Sequence, residues 1–228
     1  MRVTLAQIKQ AQEQYAAKVG GDMSFQARYY ARPVSYLLTL PLAWVNARPD
    51  AITLAALLFD LLGCLAIGTG HDAVPLLGAV CINIGHLLDY VDGTLAKATG
   101  QVSKFGAWLD SVCDEVVEAA IPIGIGLYLT VNNNLFLLLG ITCGVLHLLG
   151  TVTALHTKIV FGAEVTTTGS RWTRYAILAG VNLKSVMTLL LIPALLVPNG
   201  MVVLLVVYLA LSAGEFAGRL ITGVRNAS

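Results

Sequence analysis

The chain has 228 residues, of which 57% are hydrophobic and only 12% charged, with a formal net charge of +1. Ordinary soluble domains carry about 25% charged residues, and the mean hydropathy here is +0.76, so the composition excludes a water-soluble globular fold and points to a polytopic membrane protein. So small a net charge gives no reason to expect a nucleic-acid partner.

The first twenty residues are polar, with Lys9, Glu13 and Lys18, and lack the apolar centre of a signal peptide, which predicts a cytoplasmic N-terminus. Thr4 to Val19 reads as a polar helix. Ser24 to Trp44 then gathers Tyr29, Tyr30, Arg32, Tyr36 and Trp44 among apolar residues, the composition of an amphipathic helix lying along the headgroups. Its apolar run from Val34 to Val45 is too short to cross a bilayer and contains Pro41. Residues 1–48 are accordingly read as a cytoplasmic and interfacial helical segment, and residues 49–228 as a membrane domain.

Six apolar runs follow, near the ~20 residues a spanning helix needs: Ile52 to Thr69, Ala73 to Asp89, Ala107 to Val131, Leu135 to His156, Tyr175 to Val197 and Met201 to Ile221. Runs of this length exclude a barrel, the other structure that satisfies its backbone in lipid. The breaks read "GTGHDAVP", "TGQVSKFG", "NNN", "FGAEVTTTGS" and "PNG", all rich in turn-forming residues. Arg2, Lys9, Lys18, Arg28, Arg32 and Arg48 precede the first run. Lys97 and Lys104 lie between the second and third, and Lys158, Arg171 and Arg174 between the fourth and fifth; Arg219 and Arg225 close the chain. The alternate loops, at Gly70 to Asp72, Asn132 to Asn134 and Pro198 to Gly200, contain no Lys or Arg. The positive-inside rule then predicts both termini and the loop after the second run on the cytoplasmic side. Cys64, Cys81, Cys113 and Cys143 lie singly in apolar runs, as small hydrophobes.

One stretch resists this apolar reading. "DYVDGTLAKATGQVSKFGAWLDSVCD" places Asp89, Asp92, Asp110 and Asp114 inside or beside hydrophobic segments, where a carboxylate in hydrocarbon costs at least ~2.5 kcal/mol. Spacings of three and four put each pair on one helical face, so an antiparallel hairpin brings the two pairs opposite each other. Four such charges repel unless hard divalent cations hold them together, and an all-oxygen set suits Mg²⁺, Mn²⁺ or Ca²⁺ rather than zinc. Mg²⁺ is usually shared between carboxylates and the phosphates of a substrate, so a phosphate-containing ligand is expected. Gly93 and Gly106 give that ligand close access to backbone, Thr94 and Ser111 add hydroxyls, and Lys97 supplies a cation one turn beyond Gly93.

The same stretch resembles the signature of the CDP-alcohol phosphatidyltransferase family, DxxDGxxAR, eight residues, then GxxxDxxxD. Asp89, Asp92, Gly93, Ala96, Gly106, Asp110 and Asp114 fit it, and Lys97 stands where the family has Arg. Lys keeps the charge but loses the bidentate fork. "RPDAIT", Arg48 to Thr53, is similar to the family's Pro-Asn-x-x-Thr segment, with Asp50 in place of Asn and Thr53 near the nucleotide phosphates.

The resemblance implies an all-α integral membrane enzyme of six transmembrane helices behind an interfacial helix, acting as a homodimer in phospholipid biosynthesis. It implies transfer of a phosphatidyl-type group from a CDP-activated lipid donor to an alcohol, with release of CMP. Asp89, Asp92, Asp110 and Asp114 would hold Mg²⁺ or Mn²⁺, two ions in all. Thr53, Gly93, Ala96, Lys97, Gly106 and Ser111 would line the nucleotide site, and Asp114 would be the general base.

Lys158, Arg171, Arg174 and Arg219 are expected at the cytoplasmic ends of the later spans, where they would clamp an acceptor that is itself phosphorylated, such as an inositol phosphate. Unphosphorylated inositol, glycerol or serine, or a soluble CDP-alcohol donor, are the alternatives within the same chemistry. Asp60, His86, Glu115, Glu118 and His147 also fall in the spans, as cavity lining, mutual pairs or helix contacts. A carboxylate-based cation transporter is the alternative of another class. It is disfavoured because the acids gather at the boundary rather than the midplane and no inverted repeat is visible.

Overall fold

A computed structural model describes residues 4–19, 32–131, 133–162 and 183–227. Among these the chain is helical throughout: α1 (Leu5–Val19), α2 (Arg32–Trp44), α3 (Pro49–Gly68), α4 (Val74–Thr99), α5 (Lys104–Leu129), α6 (Leu135–Phe161), α7 (Leu183–Leu196) and α8 (Gly200–Ala227). Four of them, α3, α4, α6 and α8, are long and apolar enough to cross a membrane. Helix α5 has the length, 26 residues, but carries four acids between Asp110 and Glu118. The described part of the fifth predicted run holds the 14-residue α7, and its first third, residues 175–182, lies outside the described residues. Leu54, Leu58, Leu62 and Leu65 form an exposed stripe along α3, and every long helix shows similar exposed apolar residues, a surface that only lipid can solvate. The chain is an integral membrane protein.

The run predicted to end at Asp89 continues as helix to Thr99, where Gly100, at φ +72°, turns the chain out of α4. Two and a half extra turns thus carry Asp89, Asp92 and Lys97 on regular helix, with Gln101 N–H closing the end onto Ala96 O at 2.8 Å. Asn133 and Asn134 stand between α5 and α6, and Asn199, at φ +58°, makes the tight turn into α8.

Helix α3 packs on α4 and α5, α5 on α6, and α6 on α8, while α1 and α2 lie against α4. The closest approaches use glycine. A Cβ on Gly78 would stand 2.6 Å from Gly63 O and 2.8 Å from Ile67 N, and one on Gly144 would stand 2.8 Å from Ala119 O. Gly140, Gly144 and Gly150, which sequence alone leaves open to subunit contacts, pack on Pro122, Ala119 and the Arg219 side chain of the same chain. Gly78→Val is expected to destabilise the fold by about 1–3 kcal/mol, because rigid backbone must separate to admit it. A melting temperature in detergent equal to that of the wild type would contradict this.

The apolar core joins Cys64, Ile67, Ala79, Ile82, Val117, Ile121, Ile125, Leu129, Leu191, Leu205 and Tyr208 at the end of the bundle away from Asp89 and Asp110. Pro122 lacks the N–H that would bond Glu118 O one turn back, and the Tyr208 hydroxyl of α8 donates to that carbonyl instead. Helix α2 is amphipathic in an unexpected sense. Ser35 and Thr39 are buried, Ser35 lying 3.4 Å from the Thr94 hydroxyl of α4, while Leu37, Leu38 and Trp44 face outward.

Candidate active site

The last turns of α4 and the first turns of α5 run antiparallel, and the α3 N-terminus closes the third side. Asp89, Asp92 and Asp110 each offer one carboxylate oxygen to a group lying within 4.8 Å of one another. Asp92 is 4% exposed, and the other two are half-buried. Both oxygens of Asp92 are held: the Thr53 hydroxyl donates to Oδ2 and the Gly93 N–H to Oδ1. Thr53 is in turn 3.3 Å from Pro49 O, one turn back in α3. The donor set is all carboxylate, which fits a hard divalent cation and does not suit zinc.

Beside this trio opens a pocket of about 160 Å³. Thr53, Gly93, Ala96, Lys97 and Gly106, the residues that the resemblance assigns to a nucleotide, line it together with Asp92 and Asp110. Lys97 Nζ lies over Gly93, 3.9 Å from where a Cβ there would be. Two helix N-termini border the pocket: α3 through Pro49 and Asp50, and α5 through Ser103, Gly106 and Ala107. Ser103 caps α5, its hydroxyl accepting from Gly106 N at 2.8 Å. A Cβ on Gly106 would lie 3.1 Å from Asp50 Oδ1 and from Ser103 Oγ, so glycine keeps this wall clear. The positive helix ends and Lys97 favour an anion on this side, against the single negative charge of Asp50. The carboxylate trio favours a cation on the other.

The remaining predicted residues fall elsewhere. Ser111 is exposed and does not line the pocket, since it follows Asp110 by one residue and so points about 100° away on the helix. Asp114 is half-buried one turn beyond Asp110 and outside the trio. Lys158 is exposed in the last turn of α6. Arg219 donates to Thr151 Oγ1 at 3.0 Å and to the Glu215 carboxylate. Arg171 and Arg174 lie outside the described residues. Pro49, Gln101, Val102, Ser103 and Ala107 line the pocket without having been singled out; the serine three residues before Gly106 was the readable signal, an N-cap opening α5. Glu115 makes a helix contact, 2.8 Å from His147 Nε2. Asp60 and His86 are both buried between α3 and α4, where the missing side chain of Gly85 leaves room for Asp60.

Three clustered carboxylates that could hold a metal ion thus stand beside a pocket lined by Lys97 and two helix N-termini, in an all-helical membrane bundle. Residues 46–214 match the CDP-alcohol phosphatidyltransferase family, and the chain belongs to it. It is 37% identical over 86 residues to the archaetidylinositol phosphate synthase of Pyrococcus horikoshii, a match covering 38% of this chain and 44% of that protein. It is 29% identical over 100 residues to the phosphatidylinositol phosphate synthase of Mycobacterium marinum, covering 42% of each. With the CDP-diacylglycerol--serine O-phosphatidyltransferase of Methanocaldococcus jannaschii it shares 38% over 92 residues, 39% of this chain and 45% of the relative. These matches span less than half the length of each relative.

Proposed function

We propose that the protein transfers the phosphoalcohol group of a CDP-activated lipid to the hydroxyl of a water-soluble alcohol, releasing CMP, at the cytoplasmic face of the membrane. The observation that carries this reading is the two-sided pocket. A diphosphate accompanied by divalent cations requires carboxylates on one side and N–H groups or a cation on the other, and Asp92, Asp110, Lys97 and the α5 N-terminus line the same space. The family match and the six-run, positive-inside pattern of the sequence support the same chemistry and sidedness. A homodimer rests on the family resemblance.

In this reading Asp89, Asp92 and Asp110 hold two Mg²⁺ or Mn²⁺ ions, with Asp114 adjoining them. When bound, such ions neutralise the diphosphate and stabilise charge on the departing CMP. Thr53 and the Gly93 N–H fix the Asp92 carboxylate so that it need not reorganise during the reaction. Lys97 and the α5 N-terminus orient the diphosphate. Asp114 accepts the proton of the acceptor hydroxyl as its oxygen bonds to the lipid-linked phosphorus and the phosphorus–oxygen bond to CMP breaks.

The acceptor we favour is an inositol phosphate or another phosphorylated polyol, since two of the relatives are named as synthases of inositol phosphate lipids. An unphosphorylated alcohol is the second reading, favoured by the engagement of Arg219 with Glu215 and Thr151 and by the relative named for serine. The test is to incubate purified protein with labelled CDP-lipid, Mg²⁺ and a panel of free and phosphorylated alcohols, and to measure CMP. Release that depends on one alcohol is expected. In parallel, CDP with Mg²⁺ at 100 times its dissociation constant should stabilise the folded protein by about 2.7 kcal/mol, raising its melting temperature. No CMP with any alcohol, together with no thermal shift, would overturn the reading.

A further inference from the structure

Beyond Asp114, the same face of α5 carries Glu118 one turn deeper, and around it lies a polar cluster that the chemistry above does not use. His147 of α6 stands at its centre, 4% exposed. Its Nε2 is 2.8 Å from Glu115 Oε2 and 3.3 Å from Glu118 Oε2. Thr151, one turn along α6, donates to Glu115 at 2.7 Å and accepts from Arg219 of α8 at 3.0 Å, and Arg219 is paired with Glu215 on its own helix. Three helices are thereby joined through side chains at the depth where Tyr208 meets Glu118 O.

The other ring nitrogen of His147 behaves differently. Nδ1 is buried and has no hydrogen-bond partner among the described residues. Its nearest charged neighbour, Glu215 Oε2, is 3.9 Å away, too far for a hydrogen bond. One oxygen about 2.8 Å from both would bridge a ring nitrogen and a carboxylate at this separation, and a hydroxyl, donor and acceptor at once, would serve both. Around this buried nitrogen the neighbouring side chains are partly exposed, Glu115 31%, Glu215 29% and Arg219 19%.

Resting on the proposed transfer, the reacting hydroxyl of the acceptor stands at Asp114, and the α5 face leads from there to Glu118 about 6 Å on. A molecule with one hydroxyl at Asp114 and others beyond it meets this cluster next. We propose that His147 Nδ1 and Glu215 together bind a non-reacting hydroxyl of the acceptor, so that the His147–Glu215 pair selects a polyhydroxylated acceptor over a simple amino alcohol. Glu115, Thr151 and Arg219 hold the pair in place and offer further donors and acceptors to the same molecule. This assignment concerns the hydroxyls of the acceptor and is independent of where any phosphate it carries is bound.

Glu215→Gln and His147→Gln provide the test, with inositol as the probe. Gln at position 215 still accepts from Arg219, so the tie between those side chains survives. The expected result is a rise of about tenfold or more in the KM for inositol or its phosphate, with the KM for CDP-lipid unchanged, the size of one lost hydrogen bond to a charged group. Inositol alone should also raise the melting temperature of the wild type, and not that of Glu215→Gln. Unaltered acceptor KM in both variants, or a fall in kcat alone, would show that the spot holds only water or serves the fold, and would overturn the proposal. If the wild type released no CMP with any alcohol, the transferase reading would fail, while the inositol-induced shift would still judge the site by itself. Should neither variant fold, the wild type decides: a shift with inositol and none with serine supports the assignment, and no shift with inositol ends it.

Discussion

Asp92→Asn is expected to lower CMP release at least ~10³-fold and to abolish the thermal shift produced by CDP with Mg²⁺. Of the three clustered carboxylates, Asp92 is the buried one, and both its oxygens are held by donors from the chain itself. The substitution preserves shape but removes one of three negative charges and replaces an oxygen with a donor. If the new amide nitrogen faces Gly93 N–H it opposes a donor, and if it faces Thr53 that hydroxyl must turn from donor to acceptor, donating instead to Pro49 O. Several kcal/mol of transition-state stabilisation attributable to bound cations corresponds to three or more decades of rate, at about 1.4 kcal/mol per decade. Retention of more than a tenth of the wild-type rate, with the CDP shift intact, would remove Asp92 from the centre of the site. Asp89→Asn should produce a smaller loss, because Asp89 belongs to the trio but does not line the pocket.

How much of this was legible follows from the distances along the chain over which each feature is specified. Asp89, Asp92 and Asp110 lie on two neighbouring helices joined by a four-residue connection, so helical periodicity and one antiparallel turn suffice to bring them together. The same reasoning reaches Gly93, Lys97 and Gly106, whereas Ala96 and Thr53 come from the family resemblance; all five line the pocket. It fails for Ser111, where a hydroxyl beside an aspartate suggested a shared role and a 100° rotation per residue denies it. The apolar run ends at Asp89 but its helix does not, since α4 tolerates Gly93 and continues to Thr99, before Gly100. Pairings over long separations were not readable: Tyr208 with Glu118 O, His147 with Glu115, and Glu215 beside His147 depend on how α5, α6 and α8 pack. Apolar pattern says that these helices meet but not at which rotation, and glycine contacts such as Gly144 on Ala119 O set that rotation.

Asp114→Asn should separate proton transfer from nucleotide binding. Asp114 stands one helical turn beyond Asp110 and outside the group of three, on the α5 face that continues to Glu118. In the proposed reaction a carboxylate there would be near the reacting phosphorus without being needed to hold the diphosphate, which is the position a base for the incoming hydroxyl requires. Loss of such a base typically reduces turnover by 10²–10⁴-fold, whereas the residues proposed to bind CDP are untouched. Turnover should therefore fall by about that factor, with the CDP and Mg²⁺ thermal shift close to that of the wild type. The comparison with Asp92→Asn gives the experiment its power, since the two variants remove the same charge from the same hairpin. If Asp114→Asn also lost the thermal shift, Asp114 would belong with the carboxylates that hold the cations. If its turnover stayed within a factor of about three of the wild type, the proton would have to leave by another route, for example directly to water at the pocket mouth.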